Sequence, residues 1–131
     1  MQSKKSITVF GIPNCDTVKK ARIWLQEQNV EFIFRDFKKN GLTRSTVENW
    51  LNHVSLDVLI NRKGTTWRAL TDEQKTSCDD RDAAISLMMA LPSIIKRPVL
   101  QMVVANSADE VTKLQQVVVG FSTQLYQPLF K

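Results

Sequence analysis

The stretch SITVFGIPNCDTVKKARIWLQEQNVEFIFRDF, residues 6–37, decides the fold. Ser6 to Phe10 is rich in β-branched residues and reads as a strand. Gly11-Ile12-Pro13-Asn14 then breaks the pattern, so the strand runs into a loop. From Asp16 the apolar positions recur with the helical period. Val18, Ala21, Trp24 and Leu25 share one face, while Lys19, Lys20, Arg22 and Gln26 face outward. Asn29 is a helix stop. Val30 to Phe37 is a second apolar run and reads as another strand. A strand, a helix and a short return make a β-α-β unit, and its two strands are expected to be parallel.

Working outward, Asn40-Gly41 is a turn and Thr43 a helix N-cap. Val47, Trp50, Leu51 and Val54 follow at i, i+3, i+4 and i+7, an amphipathic helix. Residues 56–70 read as a short helical piece and a loop. Residues 71–78 form a further short helix from Thr71. Asp80 or Asp82 opens a helix through Leu91, with Ala84, Ile85, Met88 and Leu91 inward, and Pro92 ends it or begins a new turn. Val99 to Val104 is a strand, 105–112 is polar and loop-like, and 114–121 carries a fourth strand. The last two strands are expected to form an antiparallel hairpin. Thr123 to Phe130 is a terminal helix weakened by Pro128. The sum is a β-α-β unit, a helical insert over about residues 42–92, and a β-β-α unit, in one domain spanning 1–131.

The chain has 131 residues and 43% apolar content, enough for one compact core. No run approaches the roughly 18 apolar residues that cross a bilayer. Met1-Gln2-Ser3-Lys4-Lys5 is too short and polar for a signal peptide, so the cytoplasm is the expected compartment and no membrane partner is expected. The net charge is +5. Lys19, Lys20, Arg35, Lys38, Lys39, Arg62, Lys63, Arg68, Lys96 and Arg97 are scattered along the chain, which argues against a nucleic-acid face. A small anionic ligand fits the charge equally well. Nothing asks for an obligate oligomer, and a monomer is expected.

Cys15 and Cys78 are 63 positions apart with no secretion signal, which does not suggest a disulfide framework. With His53 as the one histidine, zinc has too few ligands, and no metal is expected. Cys15 follows a strand and precedes a helix. Unpaired N–H groups and the positive end of the macrodipole at such a junction favour thiolate over thiol. The thiolate is the nucleophile. Asn14 and Thr17 can add side-chain hydrogen bonds in the same turn, and Lys19 and Lys20 a weaker, screened attraction. The plain alternative is a small apolar residue packed inertly under a loop. The Pro-Asn-Cys-Asp context favours the working thiol.

Three residues on stands Val18, so Cys15 has no local Cys-x-x-Cys partner; Cys78 is one candidate resolving thiol, and an external thiol such as glutathione is the simpler one. Arg97 precedes Pro98 at the start of a strand. A proline there invites a cis bond, and Arg97 can then reach an anion near Cys15; the alternative is a surface arginine before a trans proline. Arg62 is a loop arginine, solvated by default. Trp50 and Trp67 read as core or boundary aromatics, and His53 as solvated. Cys78 sits among Ser77, Asp79 and Asp80, whose acidic groups oppose ionisation, and reads as inert.

These residues carry a resemblance. Gly11-Ile-Pro-Asn-Cys15-Asp-Thr-Val-Lys-Lys-Ala-Arg22, then Asn61-Arg-Lys-Gly-Thr-Thr-Trp-Arg68, then Ile94-Ile-Lys-Arg-Pro98 resemble the ArsC-related family. The nearest branch is the YffB-like proteins, relatives of the arsenate reductases and of the Spx regulators. The likeness runs over nearly the whole chain. It implies an α/β, thioredoxin-like fold, with β-α-β and β-β-α halves around a mixed four-stranded sheet and a helical insert between them. It implies a catalytic Cys15, with Arg62 and Arg97 flanking the thiol to hold an oxyanion or a carboxylate, and Pro98 as a cis-proline. The hairpin loop around residues 103–116 is longer than this branch leads one to expect.

Three functions compete. The first is a glutathione-dependent monothiol reductase with no bound cofactor, glutathione as co-substrate, and Asn14, Thr17, Arg62, Arg97 and Pro98 around the bound group. The second is an arsenate-reductase-like oxyanion reductase. Arsenate reductases of the family use a third arginine on the hairpin, where this chain offers Lys113, a point charge without the planar fork. The third is an Spx-like protein-binding regulator without enzymatic activity. Spx regulators contact RNA polymerase and carry a Cys-x-x-Cys switch that Val18 removes.

Overall fold

A computed structural model describes residues 4–106 and 111–130. In chain order the elements are β1 (Lys4–Gly11), α1 (Asp16–Glu27), β2 (Ile33–Asp36), α2 (Phe37–Asn40), α3 (Arg44–Leu51), α4 (Leu56–Leu59), α5 (Thr65–Arg68), α6 (Asp72–Ser77) and α7 (Arg81–Ala90). A 3₁₀ turn at Pro92–Ile94, β3 (Val99–Asn106), β4 (Val111–Val119), α8 (Thr123–Tyr126) and a 3₁₀ turn at Gln127–Phe130 complete the chain. The chain divides into two compact units: Met1–Asp36 with Arg97–Lys131, and Phe37–Lys96. The second is the helical insert, a few residues wider at each end than the sequence suggests.

The first unit is a mixed four-stranded sheet in the order β2-β1-β3-β4. β1 and β2 are parallel, with Thr8 opposite Ile33 and Gly11 opposite Asp36. β3 is antiparallel to both β1 and β4. This is the mixed sheet of the expected thioredoxin-like fold. The pleat of β1 sends Ile7 and Val9 to one face, where they join Ala21, Leu25, Leu100, Met102, Val118 and Tyr126 in one buried cluster. Ala21 and Leu25 are completely buried. A leucine so placed contributes about 1.5–3 kcal/mol of transfer free energy, ample to fix the roll of α1 on the sheet. Trp24, Phe121 and Phe130 pack around that cluster. Arg22 departs from the outward face expected of it: its guanidinium lies 4.1 Å from the centre of the Phe34 ring, a cation–π contact.

α1 stops where Asn29 takes a left-handed conformation at φ 58°. The Asn29 N–H donates to the Gln26 carbonyl at 3.1 Å and the Val30 N–H to the Leu25 carbonyl at 2.9 Å, the paired bonds of a Schellman ending.

Three sequence expectations shift. The strand expected over 30–37 is limited to Ile33–Asp36, and it stops short of Phe37 because its ladder partner β1 ends at Gly11. Phe37 instead opens α2, buried, with its ring 6.1 Å from that of Trp50. The loop expected over 105–112 is narrower, since Ala105 pairs with Thr112 and Asn106 with Val111. Backbone pairing there overrides polar composition. A register shift falls between Met102 and Val103. Residues 107–110, and with them the tip of the hairpin loop expected to be long, lie outside the described residues. The terminal helix is split into α8 and a 3₁₀ turn around Pro128, which has no N–H to continue an α-ladder.

The second unit is built from short, capped helices. Thr43 accepts from the Thr46 N–H at the start of α3, and Ser55 from the Val58 N–H at α4. Thr71 and Gln74 form a reciprocal capping box at α6, and Asp80 caps α7. Arg44 joins α3 to α7 through a 2.6 Å ion pair with Asp82. The stretch 56–70 holds two helices, α4 and α5, rather than one.

Candidate functional site

Cys15 is the N-cap residue of α1, with extended backbone at φ −95° and ψ 124°. Its carbonyl already accepts the first helical bond, from the Lys19 N–H at 2.9 Å. Its own N–H donates back to the Ile12 carbonyl at 3.2 Å, which closes the loop after β1. The thiol is half-buried. Gly11 makes this approach of loop to helix possible. A Cβ there would come within 2.7 Å of Val18 Cγ2, and Val18 is fully buried. The sequence places Val18 on the apolar face of α1 and Gly11 in the break after β1, but does not show that the two touch. Together they are the packing contact that seats the first turn of α1 on the end of β1.

The second half of the site comes from sheet register. Phe10 lies opposite Val99 across the antiparallel β1–β3 pair. The residues just before β3 therefore lie beside the loop that follows β1. Those residues are Arg97 and Pro98, joined by a cis peptide bond. Pro98 is buried, and its carbonyl accepts from the Gly120 N–H at 2.8 Å.

Burial of the Cys15 thiol pushes its pKa up, and three groups more than offset this. The backbone N–H of Val18 is the largest, followed by the Arg97 side chain donating to the sulfur and the backbone N–H of Thr17; the charge of Arg97 adds a long-range part. The net shift is downward, toward thiolate. The Cys15 side chain closes no formal cap hydrogen bond, so the N–H groups act as oriented donors aimed at a large, diffuse acceptor. Asn14 and Thr17 are exposed, and it is the Thr17 main chain that reaches the sulfur.

Arg62 belongs to the second unit. There its Nη2 pairs with Asp57 Oδ1 at 3.0 Å and its guanidinium lies 5.3 Å from the Trp67 ring centre. Cys78 is also in that unit, 2% exposed at the end of α6, with Sγ donating to the Gln74 carbonyl at 3.7 Å. Its pKa is raised, first by burial; the Asp79 charge is the smallest contribution, and Arg62 and Ser77 pull the other way. The expectation of a reluctant thiol stands on burial more than on the acidic neighbours. His53 is exposed.

Residues 10–127 match the ArsC family, about nine-tenths of the chain. The chain belongs to the ArsC family. A Haemophilus influenzae protein of no stated function is 36% identical over 126 residues, covering 95% of this chain and 98% of its own length. The solved structure of a YffB protein is 36% identical, covers 96% of this chain and all of that one, and superposes with a TM-score of 0.81. The global transcriptional regulator Spx of Streptococcus pneumoniae is 25% identical over 115 residues, 80% of this chain and 82% of Spx. Membership accounts for the thioredoxin-like sheet and the helical insert. Among the described residues, no helix is long and apolar enough to cross a membrane.

Proposed function

We propose that this ArsC-family chain is a glutathione-linked monothiol reductase whose nucleophile is Cys15. The observation that carries the reading is the Cys15 sulfur at the N-terminus of α1 with the Arg97 guanidinium donating to it. The Cys15 thiolate attacks the glutathione sulfur of a substrate–glutathione disulfide. The S–S bond breaks, and its electron pair leaves with the substrate sulfur, which takes a proton from water. A second glutathione thiolate attacks the glutathione sulfur now on Cys15 and frees the Cys15 thiolate and oxidised glutathione. One disulfide and one thiol are consumed, and one of each is formed. Arg97 keeps the sulfur anionic between turnovers and, with Asn14 and Thr17 at the exposed mouth, holds a glutathione carboxylate. Pro98 fixes the turn that aims Arg97. Arg62 as a second anion holder rests on the resemblance alone. The reducing, glutathione-rich cytoplasm is the compartment this chemistry requires.

Val18 is the reason for an external resolving thiol. It fills the position three residues on with a buried methyl pair packed over Gly11. The same residue argues against an Spx-like redox switch. An arsenate-type reductase shares the first attack, but no arginine follows Arg97 to complete a three-arginine grip on a tetrahedral oxyanion.

The test uses a Cys78→Ala background. The thiolate pKa of Cys15 is read from the pH dependence of alkylation, and the same sample is treated with oxidised glutathione and weighed. The expected result is a pKa below the ordinary value of about 8.5 and one glutathione on Cys15, removed by reduced glutathione. An ordinary pKa with no adduct would sink the proposal and turn attention to protein partners.

A further inference from the structure

Gly120 stands immediately after β4 with φ 85°, in the left-handed region where glycine is favoured. It is buried. Its N–H donates to the Pro98 carbonyl at 2.8 Å. Val99 lies opposite Val119, so this bond carries the β3–β4 ladder one step past the strands. Proline has no N–H with which to return a second bond. On the other side, the β1–β3 ladder stops at Phe10 and Val99. The Gly120 bond therefore ties Pro98, and with it the backbone of Arg97, to the end of the sheet.

The next residue fixes the far side of the turn. The Phe121 ring is edge-on to Tyr126 at 4.8 Å and lies 6.4 Å from the ring of Trp24. Trp24 belongs to α1, the helix that carries Cys15 at its N-terminus. These contacts close a circuit. It runs from Cys15 along α1 to Trp24, across to Phe121, through Gly120 to Pro98, and back through Arg97 to the sulfur. Every residue in it belongs to the first unit. A side chain at Gly120 drives the backbone toward negative φ, and one flank must then give. Either Phe121 leaves Trp24 and Tyr126, or the 119–120 peptide turns and its N–H leaves Pro98. The ring would forfeit two aromatic contacts and its burial, the peptide a single neutral bond, so the peptide moves.

We propose that Gly120 is a positioning residue for the thiol: its bond to the Pro98 carbonyl holds the Arg97 guanidinium against the Cys15 sulfur. It acts through Pro98 and Arg97, not on the sulfur itself. A guanidinium donates along fixed N–H directions, so a small swing of its stem loses the hydrogen bond while the charge stays near. The inference rests on the reading of Cys15 as a thiolate held by Arg97.

The test measures the pH profile of Cys15 alkylation by iodoacetamide in the full chain carrying Cys78→Ala. Gly120→Ala is expected to raise the midpoint and to slow alkylation at neutral pH about two- to fivefold, less than loss of Arg97 itself, because the cation remains. In an Arg97→Gln background the same substitution leaves the midpoint where it is, since the group it acts through is gone. Gly41→Ala is the matched control. Gly41 has φ 75° and open space where a Cβ would stand, so it brings the same backbone strain outside the circuit and keeps the parent midpoint. Should Gly120→Ala fail to fold, the Gly120 amide signal of the parent chain is followed by NMR through the Cys15 titration. It is expected to move with the alkylation midpoint and to stop doing so in Arg97→Gln. A parental midpoint in Gly120→Ala, an equal shift in the Arg97→Gln background or from Gly41→Ala, or an amide that ignores the titration would each overturn the inference and leave the thiolate reading standing. An ordinary midpoint in the parent chain overturns both.

Discussion

The Arg97 side chain donates a hydrogen bond to the Cys15 sulfur, although 82 positions separate the two residues. The bond exists because β3 runs antiparallel to β1, and the start of one strand lies at the end of the other. Replacing Arg97 with Gln removes both the charge and much of the donor geometry. Alkylation of Cys15 at neutral pH is expected to slow about three- to tenfold, since the donor and the charge that hold its pKa down are both lost. Arg97→Lys keeps the charge without the fork and should fall between. Iodoacetamide rates across a pH series read this directly, and an unchanged profile in Arg97→Gln would remove Arg97 from the site.

The same shift makes stability depend on pH. Cys15 has a folded pKa below its unfolded value, so between the two the unfolded chain holds a proton that the folded chain has lost. The contribution is absent below the folded pKa, grows as pH rises toward the ordinary thiol value of about 8.5, and is complete above it. It is lost again as pH falls through the folded pKa. In a Cys78→Ala background, the stability difference between the Cys15 chain and its Cys15→Ser variant should rise over that window in urea titrations. A flat difference would contradict the lowered pKa.

Gly11 is the hinge of the packing under the thiol. A methyl there meets Val18 Cγ2 at 2.7 Å. Val18 is β-branched, helical and fully buried, so it has no rotamer to retreat into. Gly11→Ala should cost about 1–3 kcal/mol, the range for overpacking, which outweighs the roughly 0.4–1 kcal/mol gained from a stiffer unfolded chain. Adding Val18→Ala should recover part of the loss, so that the double variant is more stable than additivity allows. Additive behaviour in urea titrations would mean the two residues do not press on each other.

Tyr126 is completely buried, and its hydroxyl has no hydrogen-bond partner among the described residues. Burial accordingly pushes its ionisation up. Its ring is the useful part, edge-on to Phe121 at 4.8 Å and to Trp24 at 5.8 Å. Tyr126→Phe keeps those contacts and removes an unsatisfied buried group, so it should stabilise the chain by about 1 kcal/mol. A higher denaturation midpoint checks this; a lower one would mean the hydroxyl is satisfied after all.

Local chemistry was legible where it was punctuated. Thr43, Thr71 and Asp80 cap helices as their sequence positions suggest, because capping is a bond between residues three apart. Asn29 ends α1 for an equally local reason, its tolerance of positive φ. The errors fall where a partner strand decides. β2 stops before Phe37 because β1 runs out at Gly11, and β3 and β4 extend into polar residues because they pair with each other. Arg22 read as outward because periodicity carries no information about the Phe34 ring that covers it.

By itself, the sequence determined that Cys15 stands between a strand and a helix, that Val18 denies it a local partner, and that two halves of a sheet enclose a helical insert. These depend on propensity, period and turn chemistry, which act over a few residues. Only the tertiary structure decided that Arg97 reaches the sulfur, that Gly11 and Val18 touch, and that Gly120 bonds to the carbonyl of Pro98. Each of these joins residues distant in the chain or on different elements. Strand register, a close approach of loop and helix, and a single backbone bond bring them together, and such contacts are set by the packing of the whole chain.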